Sequence, residues 1–213
     1  MAQCRAVVIA VGCLAATTAA AVAAPPPPPA APTVERILIM RHGEKPPAGL
    51  GQLACKGLSR ALALPDVIIP KYGTPQVLFA PNPGRRKPDN GRLYNYIRPL
   101  ATIEPLAIRA GLPVDTQFGF DSVLPLARTI DAPQYAGKFV VVAWEHNLLV
   151  PMMRIILKHH GADPKQIADW KHDDFDRLDV IEITRGPGKK SAATYMHGQQ
   201  GLNGISDECP RGK

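Results

Sequence analysis

The run Arg36-Ile37-Leu38-Ile39-Met40, followed at once by Arg41-His42-Gly43-Glu44-Lys45, has the form of a buried strand that breaks into a tight turn. Apolar residues without polar alternation indicate burial on both faces, the habit of parallel sheets covered by helices. The pattern recurs downstream. Leu53 to Leu64 has helical periodicity, and Pro65 is expected to end it. Gln76 to Ala80 reads as a second strand and Pro81 to Arg92 as a polar loop rich in Pro and Gly. Ile97 to Arg109 is a helix that tolerates Pro99 in its first turn and closes at Gly111. Lys138 to Ala143 is the most strand-like stretch, Leu148 to His159 is a helix closed by Gly161, and Leu178 to Thr184 is a last clear strand. Strands alternating with helices at this spacing predict an α/β chain: a three-layer α/β/α sandwich around a mostly parallel central sheet. No internal repeat is visible.

The N-terminus has the marks of an export signal. Arg5 precedes an uncharged, alanine-rich stretch from Ala6 to Ala24, and Ala21-Val22-Ala23 fits an A-x-A cleavage site. The reading is a signal peptide over 1–23, a proline-rich linker over 24–33 and a folded domain over 34–213. The apolar stretch barely reaches the roughly 20 residues of a membrane span and is mostly Ala, so no stable membrane insertion is expected after cleavage. A lipoprotein reading of the segment ending at Cys13 is weaker, because it comes early and lacks a Leu. Pro25 to Pro29 are consecutive prolines that favour an extended spacer and cannot build a core. A secreted or periplasmic location follows as the expectation.

Cleavage would remove Cys4 and Cys13 and leave Cys55 and Cys209. In an oxidising compartment they form either one disulfide, pinning the C-terminal tail to the first helix, or two separate thiols. Neither has the C-x-x-C spacing of a metal site. The formal charge of +7 is scattered except at Arg85-Arg86-Lys87, without aromatic interleaving, which argues against a nucleic-acid partner. That triplet is read as a solvated loop before a patch selecting anionic substrates. His159-His160 suits a helix C-terminus, and Asp173-Asp174 and Asp176 lack the glycine and glutamate of a calcium loop. No metal and no cofactor are implied.

In doubly covered sheets, loops converge beyond the carboxyl ends of the strands. Two polar segments fall there: Met40 to Lys45 after the first strand, and Trp144-Glu145-His146-Asn147 after the central one. A neutral imidazole is a competent nucleophile toward phosphorus. Arg41 beside His42 disfavours the imidazolium, and a guanidinium fork matches phosphate oxygens.

In ordered combination these segments resemble the histidine phosphatase superfamily, the phosphoglycerate-mutase-like group. Ile37 to Glu44 is similar to its strand and R-H-G signature. Leu53 to Ala61 resembles its "L-T-x-x-G-x-x-Q-A" helix, with Arg60 where Gln is common. Phe79-Ala80-Pro81 resembles its "S-S-P" strand end, Arg98 to Thr102 and Glu104 to Ala107 its "R-A-x-Q-T-A" helix, and Val140 to His146 the strand carrying the second histidine. The resemblance implies that Arg41, Arg98 and His146 bind the phosphoryl oxygens of a small phosphorylated substrate while His42 attacks, giving a phosphohistidine that water hydrolyses. It also implies a carboxylic acid as proton donor, and here the match is imperfect. The family register places that acid at Ser122, so Asp121 is the first candidate, with a helix N-cap as its alternative role. Glu145 is the second and Glu44 the third. A metal-independent phosphatase is the leading expectation, ahead of a non-catalytic phosphoryl-ligand binder and of a phosphoglycerate-mutase-type phosphotransferase, which export would separate from its substrates. Oligomeric state is left open.

Overall fold

The computed structural model describes residues 31–188 and 190–210. The segment expected to be a signal peptide, and all but the end of the expected proline-rich linker, lie outside the described residues. The first strand starts at Thr33, within the last position assigned to the linker.

Five strands form the central sheet. β1 (Thr33–Arg41), β5 (Phe139–Trp144) and β2 (Val77–Phe79) run parallel, while β6 (Arg177–Arg185) and β7 (Ala192–Gln199) add antiparallel, giving the order β2-β5-β1-β6-β7. Parallel pairing is thus confined to one half of the sheet. The helices take both faces as expected. On one side α1 (Cys55–Tyr72) and α2 (Arg98–Ala110) place Leu64, Ile68, Ile103 and Leu106 against Leu38, Met40, Val141 and Ala143. On the other, α3 (Val123–Ile130) and α4 (His146–His159) set Leu126, Ile130, Leu149 and Met153 against Ile37, Ile39, Val140 and Val142. Successive residues of β1 and β5 therefore feed opposite cores, which is why both strands are continuously apolar.

Three local expectations are corrected. α1 does not stop at Pro65 but runs on through Pro65 and Pro70 to Tyr72. An interior proline costs about 3 kcal/mol. Burial of Leu64, Pro65 and Ile68 offsets it, since each large apolar side chain contributes roughly 1.5–3 kcal/mol when fully buried. Second, the expected loop over 81–92 contains a β-hairpin, β3 (Arg86–Asp89) with β4 (Arg92–Asn95). Its turn is Asn90-Gly91 with φ of 47° and 76°, the left-handed pair that matches the twist of two joined strands. Third, Leu178 to Thr184 is not the last strand. β7 follows as a half-exposed edge whose side chains carry too little apolar alternation to announce it. No helix among the described residues is long and apolar enough to cross a membrane.

Cys55, the first residue of α1, is joined to Cys209 by a disulfide, with Cα atoms 4.4 Å apart. Closing a loop of 154 residues restricts the unfolded chain strongly, worth up to about 5 kcal/mol in the chain-entropy account. Reduction, or the pair Cys55→Ser and Cys209→Ser, is expected to lower the melting temperature by on the order of 10 °C. Identical melting curves with and without reductant would show that the bridge does not hold the tail.

Candidate active site

β1 and β5 end side by side, Arg41 in register with Trp144, and the His42 N–H donates to the Trp144 carbonyl at 3.0 Å. Parallel pairing thus brings the turn after β1 and the start of α4 to one edge of the sheet. Arg41, His42, Arg98, Glu145 and His146 are all buried there, each no more than 6% exposed.

His42 is held as a neutral ring of defined tautomer. Its Nδ1 lies 2.7 Å from the Gly43 carbonyl oxygen, an acceptor only, so Nδ1 carries the hydrogen and Nε2 the lone pair. Burial, then the charge of Arg98, with Arg41 and His146 adding, holds the ring well below the ordinary histidine value; the Gly43 bond opposes this. The turn itself is fastened to α2: the Gly43 N–H donates to Thr102 Oγ1 at 2.9 Å, and that hydroxyl donates to the Arg98 carbonyl at 2.8 Å. Gly43 is needed for close approach rather than for a left-handed backbone. A Cβ on it would sit 2.9 Å from the Gly57 carbonyl oxygen in α1.

The two arginines are anchored at one end and unsatisfied at the other. Arg41 Nη1 donates to the carbonyls of His172, Lys171 and Asp174 at 2.6, 3.4 and 3.4 Å, with its guanidinium carbon 3.8 Å from the Phe175 ring centre. Burial lowers Arg41 to about 10, which leaves it charged at neutral pH. Arg98 Nη1 donates to Asp89 Oδ2 at 2.5 Å, and Lys45 holds the other carboxylate oxygen at 2.9 Å. Burial disfavours the Asp89 carboxylate, yet bonds from Lys45 and Arg98 pull it down to about 2.

Glu145 holds the N-cap position of α4, with no capping hydrogen bond from its side chain, beside His146. His146 Nδ1 is 3.2 Å from Glu145 Oε1 without hydrogen-bond alignment, Asn147 Nδ2 donates to the same oxygen at 3.1 Å, and Lys87 Nζ is 3.8 Å away. Burial, followed by the positive charges of Arg41, His172, Lys87 and Lys45, lowers His146 to about 4.

The other carboxylate candidates lie apart. Asp121 is exposed and ion-paired with Arg85 at 3.1 Å, outside the buried group. It is not the N-cap of α3 either, which is Ser122. Glu44 gives both carboxylate oxygens to the fully buried Arg60, at 2.7 and 2.9 Å. Arg60 also donates to Asp176 at 3.1 Å and Gln200 at 2.9 Å, so it ties the turn after His42 to the segments before β6 and after β7.

Several participants were not placed at this edge by the sequence, Lys87 having been read within a solvated triplet. Lys87, Asp89 and Tyr96 arrive with the hairpin, whose Asn90-Gly91 turn is the one local signal for it. The carbonyls that hold Arg41 have no side-chain signature. They reach the site because β6 runs antiparallel, so the segment before it returns to the edge where β1 ends.

Six buried side-chain nitrogens and oxygens lack a hydrogen-bond partner among the described residues, and four cluster here: Arg41 Nε, Arg98 Nε, His146 Nδ1 and the Tyr96 hydroxyl. Uncompensated buried donors are costly and rare. With Lys45 and Lys87 nearby, this edge of the sheet concentrates positive charge and unsatisfied nitrogens, a character that an anion would complement. A separate group, Asp131, His159 and His160, brings its ligand atoms within 4.8 Å of one another. Arg185 already donates to Asp131 at 2.8 Å, and His160 meets Ser191 Oγ at 2.6 Å, so these groups satisfy one another as a polar cluster.

The architecture is shared with solved proteins. A protein described as the phosphohistidine phosphatase SixA from Nakamurella multipartitia superposes with a TM-score of 0.51 at 17% identity, over 80% of this chain and 97% of that one. The fold is that of the histidine phosphatases. A mycobacterial glucosyl-3-phosphoglycerate phosphatase shares this histidine phosphatase fold, with a TM-score of 0.50 at 13% identity over 76% of this chain and 97% of that one. No family model and no curated protein matches the chain. At these identities the histidine phosphatase likeness concerns architecture, and the chemistry rests on the geometry above.

Proposed function

We propose that this chain is an exported, metal-independent phosphatase that hydrolyses phosphomonoesters of small molecules through a phosphohistidine on His42. One observation carries the reading: the lone pair of a neutral, buried imidazole shares its edge of the sheet with three orphaned nitrogens, on Arg41, Arg98 and His146, and two lysines. Phosphoryl transfer needs little else, since positioning and charge stabilisation supply most of the catalysis.

In the proposed cycle the dianionic phosphoryl group enters among Arg41, Arg98 and His146. His42 Nε2 attacks phosphorus and the ester P–O bond breaks. The Glu145 carboxyl group gives its proton to the leaving oxygen, then takes one from the water that cleaves the N–P bond and releases phosphate. Glu145 is assigned this role because it is the candidate carboxylate buried beside His146, whereas Asp121 pairs with Arg85 at the surface and Glu44 is held by Arg60. The glucosyl-3-phosphoglycerate phosphatase of the same fold supports a phosphorylated small molecule as substrate. The signal-like leader and the disulfide support export.

The test is hydrolysis of p-nitrophenyl phosphate and of an alkyl phosphate in the presence of a chelator. Glu145→Gln is expected to lower kcat on the alkyl ester by about a hundredfold or more, the usual scale of general acid catalysis. The effect on the aryl ester should be much smaller, because nitrophenolate leaves without help. Asp121→Asn should stay within about twofold on both. Equal losses from the two variants would remove Glu145 from the mechanism, and no turnover of any ester by the wild type would remove the enzyme reading.

A further inference from the structure

Tyr96 lies between the end of β4 and the start of α2, and its ring is wedged among charged groups of the site. The His42 ring meets it edge-on with centroids 6.0 Å apart, and Phe120 does so at 5.8 Å. Lys87 Nζ sits 4.9 Å from its centre and the Arg98 guanidinium carbon 5.0 Å. Its backbone is fixed too. The next two N–H groups, of Ile97 and Arg98, both donate to the Gly51 carbonyl, at 3.0 and 3.1 Å. Gly51 has a φ of 70°, and a Cβ there would lie 2.1 Å from the Asn95 carbonyl oxygen.

Tyr96 is 1% exposed, yet its hydroxyl finds no hydrogen-bond partner among the described residues. The Arg98 guanidinium approaches it as a donor would, but falls outside the distance and angle of a formed hydrogen bond, and an Arg98 N–H there would still leave the phenol's own O–H unspent. Arg41 and Glu145 are also within electrostatic reach. A packing tyrosine would gain nothing from that oxygen, and phenylalanine would fill the same space without the cost of an unpaired polar group. Burial raises this phenol far above its ordinary value, so it remains a hydrogen-bond donor and never a proton source at working pH.

We propose that the Tyr96 hydroxyl is a fourth donor to the bound phosphoryl group, a catalytic residue that hydrogen-bonds one of its oxygens from the side of His42. The inference rests on the anion-site reading above and adds to it a neutral donor, fixed by ring packing rather than by charge. A neutral O–H stabilises charge moving onto the phosphoryl oxygens without lowering the basicity of His42 as a further cation would.

The experiment compares wild type with Tyr96→Phe in three measurements: melting temperature without ligand, phosphate and vanadate affinity by calorimetry, and kcat and KM on p-nitrophenyl phosphate. Loss of a hydrogen bond to a charged group is expected to weaken phosphate binding about tenfold and vanadate binding and kcat/KM by about 10- to 100-fold. The ligand-free melting temperature should stay equal or rise, because an orphaned oxygen has been removed. A structural role would give the reverse, a lower melting temperature with unchanged anion affinity, and would overturn the proposal. A wild type that binds phosphate but hydrolyses nothing would end the phosphatase reading alone; the inference would then stand or fall on the Tyr96→Phe affinity. Wild-type protein carrying 3-fluorotyrosine gives a second readout. Phosphate should shift the fluorine resonance that Tyr96→Phe lacks, and no shift would count against the contact.

Discussion

Replacing His42 by alanine is expected to abolish turnover, with kcat falling by about four orders of magnitude or more, while phosphate and vanadate still bind. Deleting a nucleophile removes the chemical step, whereas the remaining donors keep some affinity for the anion. Arg41 and Arg98 are anchored by backbone carbonyls and by Asp89, none of which involves His42, so the clamp outlives the substitution. The readouts are steady-state kinetics, acid-labile labelling by a radioactive phosphate ester, and stabilisation by vanadate on heating. Label on a histidine other than His42, or full activity in the alanine variant, would end the phosphohistidine reading.

The same site sets the pH response. His42 lies well below the ordinary value of 6.5 and His146 at about 4, mainly through burial and then neighbouring positive charge. The proposed nucleophile, His42, therefore stays unprotonated through pH 6, and the rate should fall only on the more acidic side of the usual histidine range. An anion offsets the positive field, so binding should raise both rings, and buffer-dependent calorimetric heats report their proton uptake net of the proton phosphate releases on binding as the dianion. Below pH 6.5 the two rings bind fewer protons folded than unfolded. Their contribution to stability is complete above 6.5 and is lost as pH falls below it, for His146 on the way down to about 4.

The second large effect is on stability. Arg60→Met should cost about 3–5 kcal/mol, the usual penalty for leaving buried charges without their partner. For a domain of this size that lowers the melting temperature by roughly 10 °C or more. Arg60 is fully buried, and its removal strands Glu44 and Asp176 while freeing Gln200. Adding Glu44→Gln and Asp176→Asn to the same chain should recover part of the loss, since the stranded charges cause most of it. Because Glu44 follows the His42–Gly43 turn, kcat should fall as well, and Arg60 acts there as a positioning residue. A melting temperature within about two degrees of wild type would show that the three segments are not joined through this guanidinium.

Much of the candidate site was legible because it hangs on buried strands. Arg41 and His42 follow an apolar run, and Glu145 and His146 follow another, so a parallel pairing was enough to bring them together. Arg98 required the order of the segments as well. Asp121 was placed by counting along a loop, and loop register is weakly constrained; the chain turns it to Arg85 at the surface. The triplet Arg85-Arg86-Lys87 shows the same limit. Arg85 pairs with Asp121, Arg86 donates to the Leu93 carbonyl at 2.6 Å, and Lys87 turns in beside Glu145. Only knowledge of the hairpin separates them, since alternate strand residues face opposite ways.

What the amino-acid sequence determined by itself was the α/β alternation and the two histidine-bearing strand ends, because apolar continuity and strand-end turns are local properties that each segment carries alone. What only the tertiary structure decided was the direction of β6, the carbonyls of Lys171, His172 and Asp174 on Arg41, the hub at Arg60, and the unpaired hydroxyl of Tyr96. These are matters of which buried polar group meets which partner. That is settled when distant segments pack together, and no stretch of chain states it in advance.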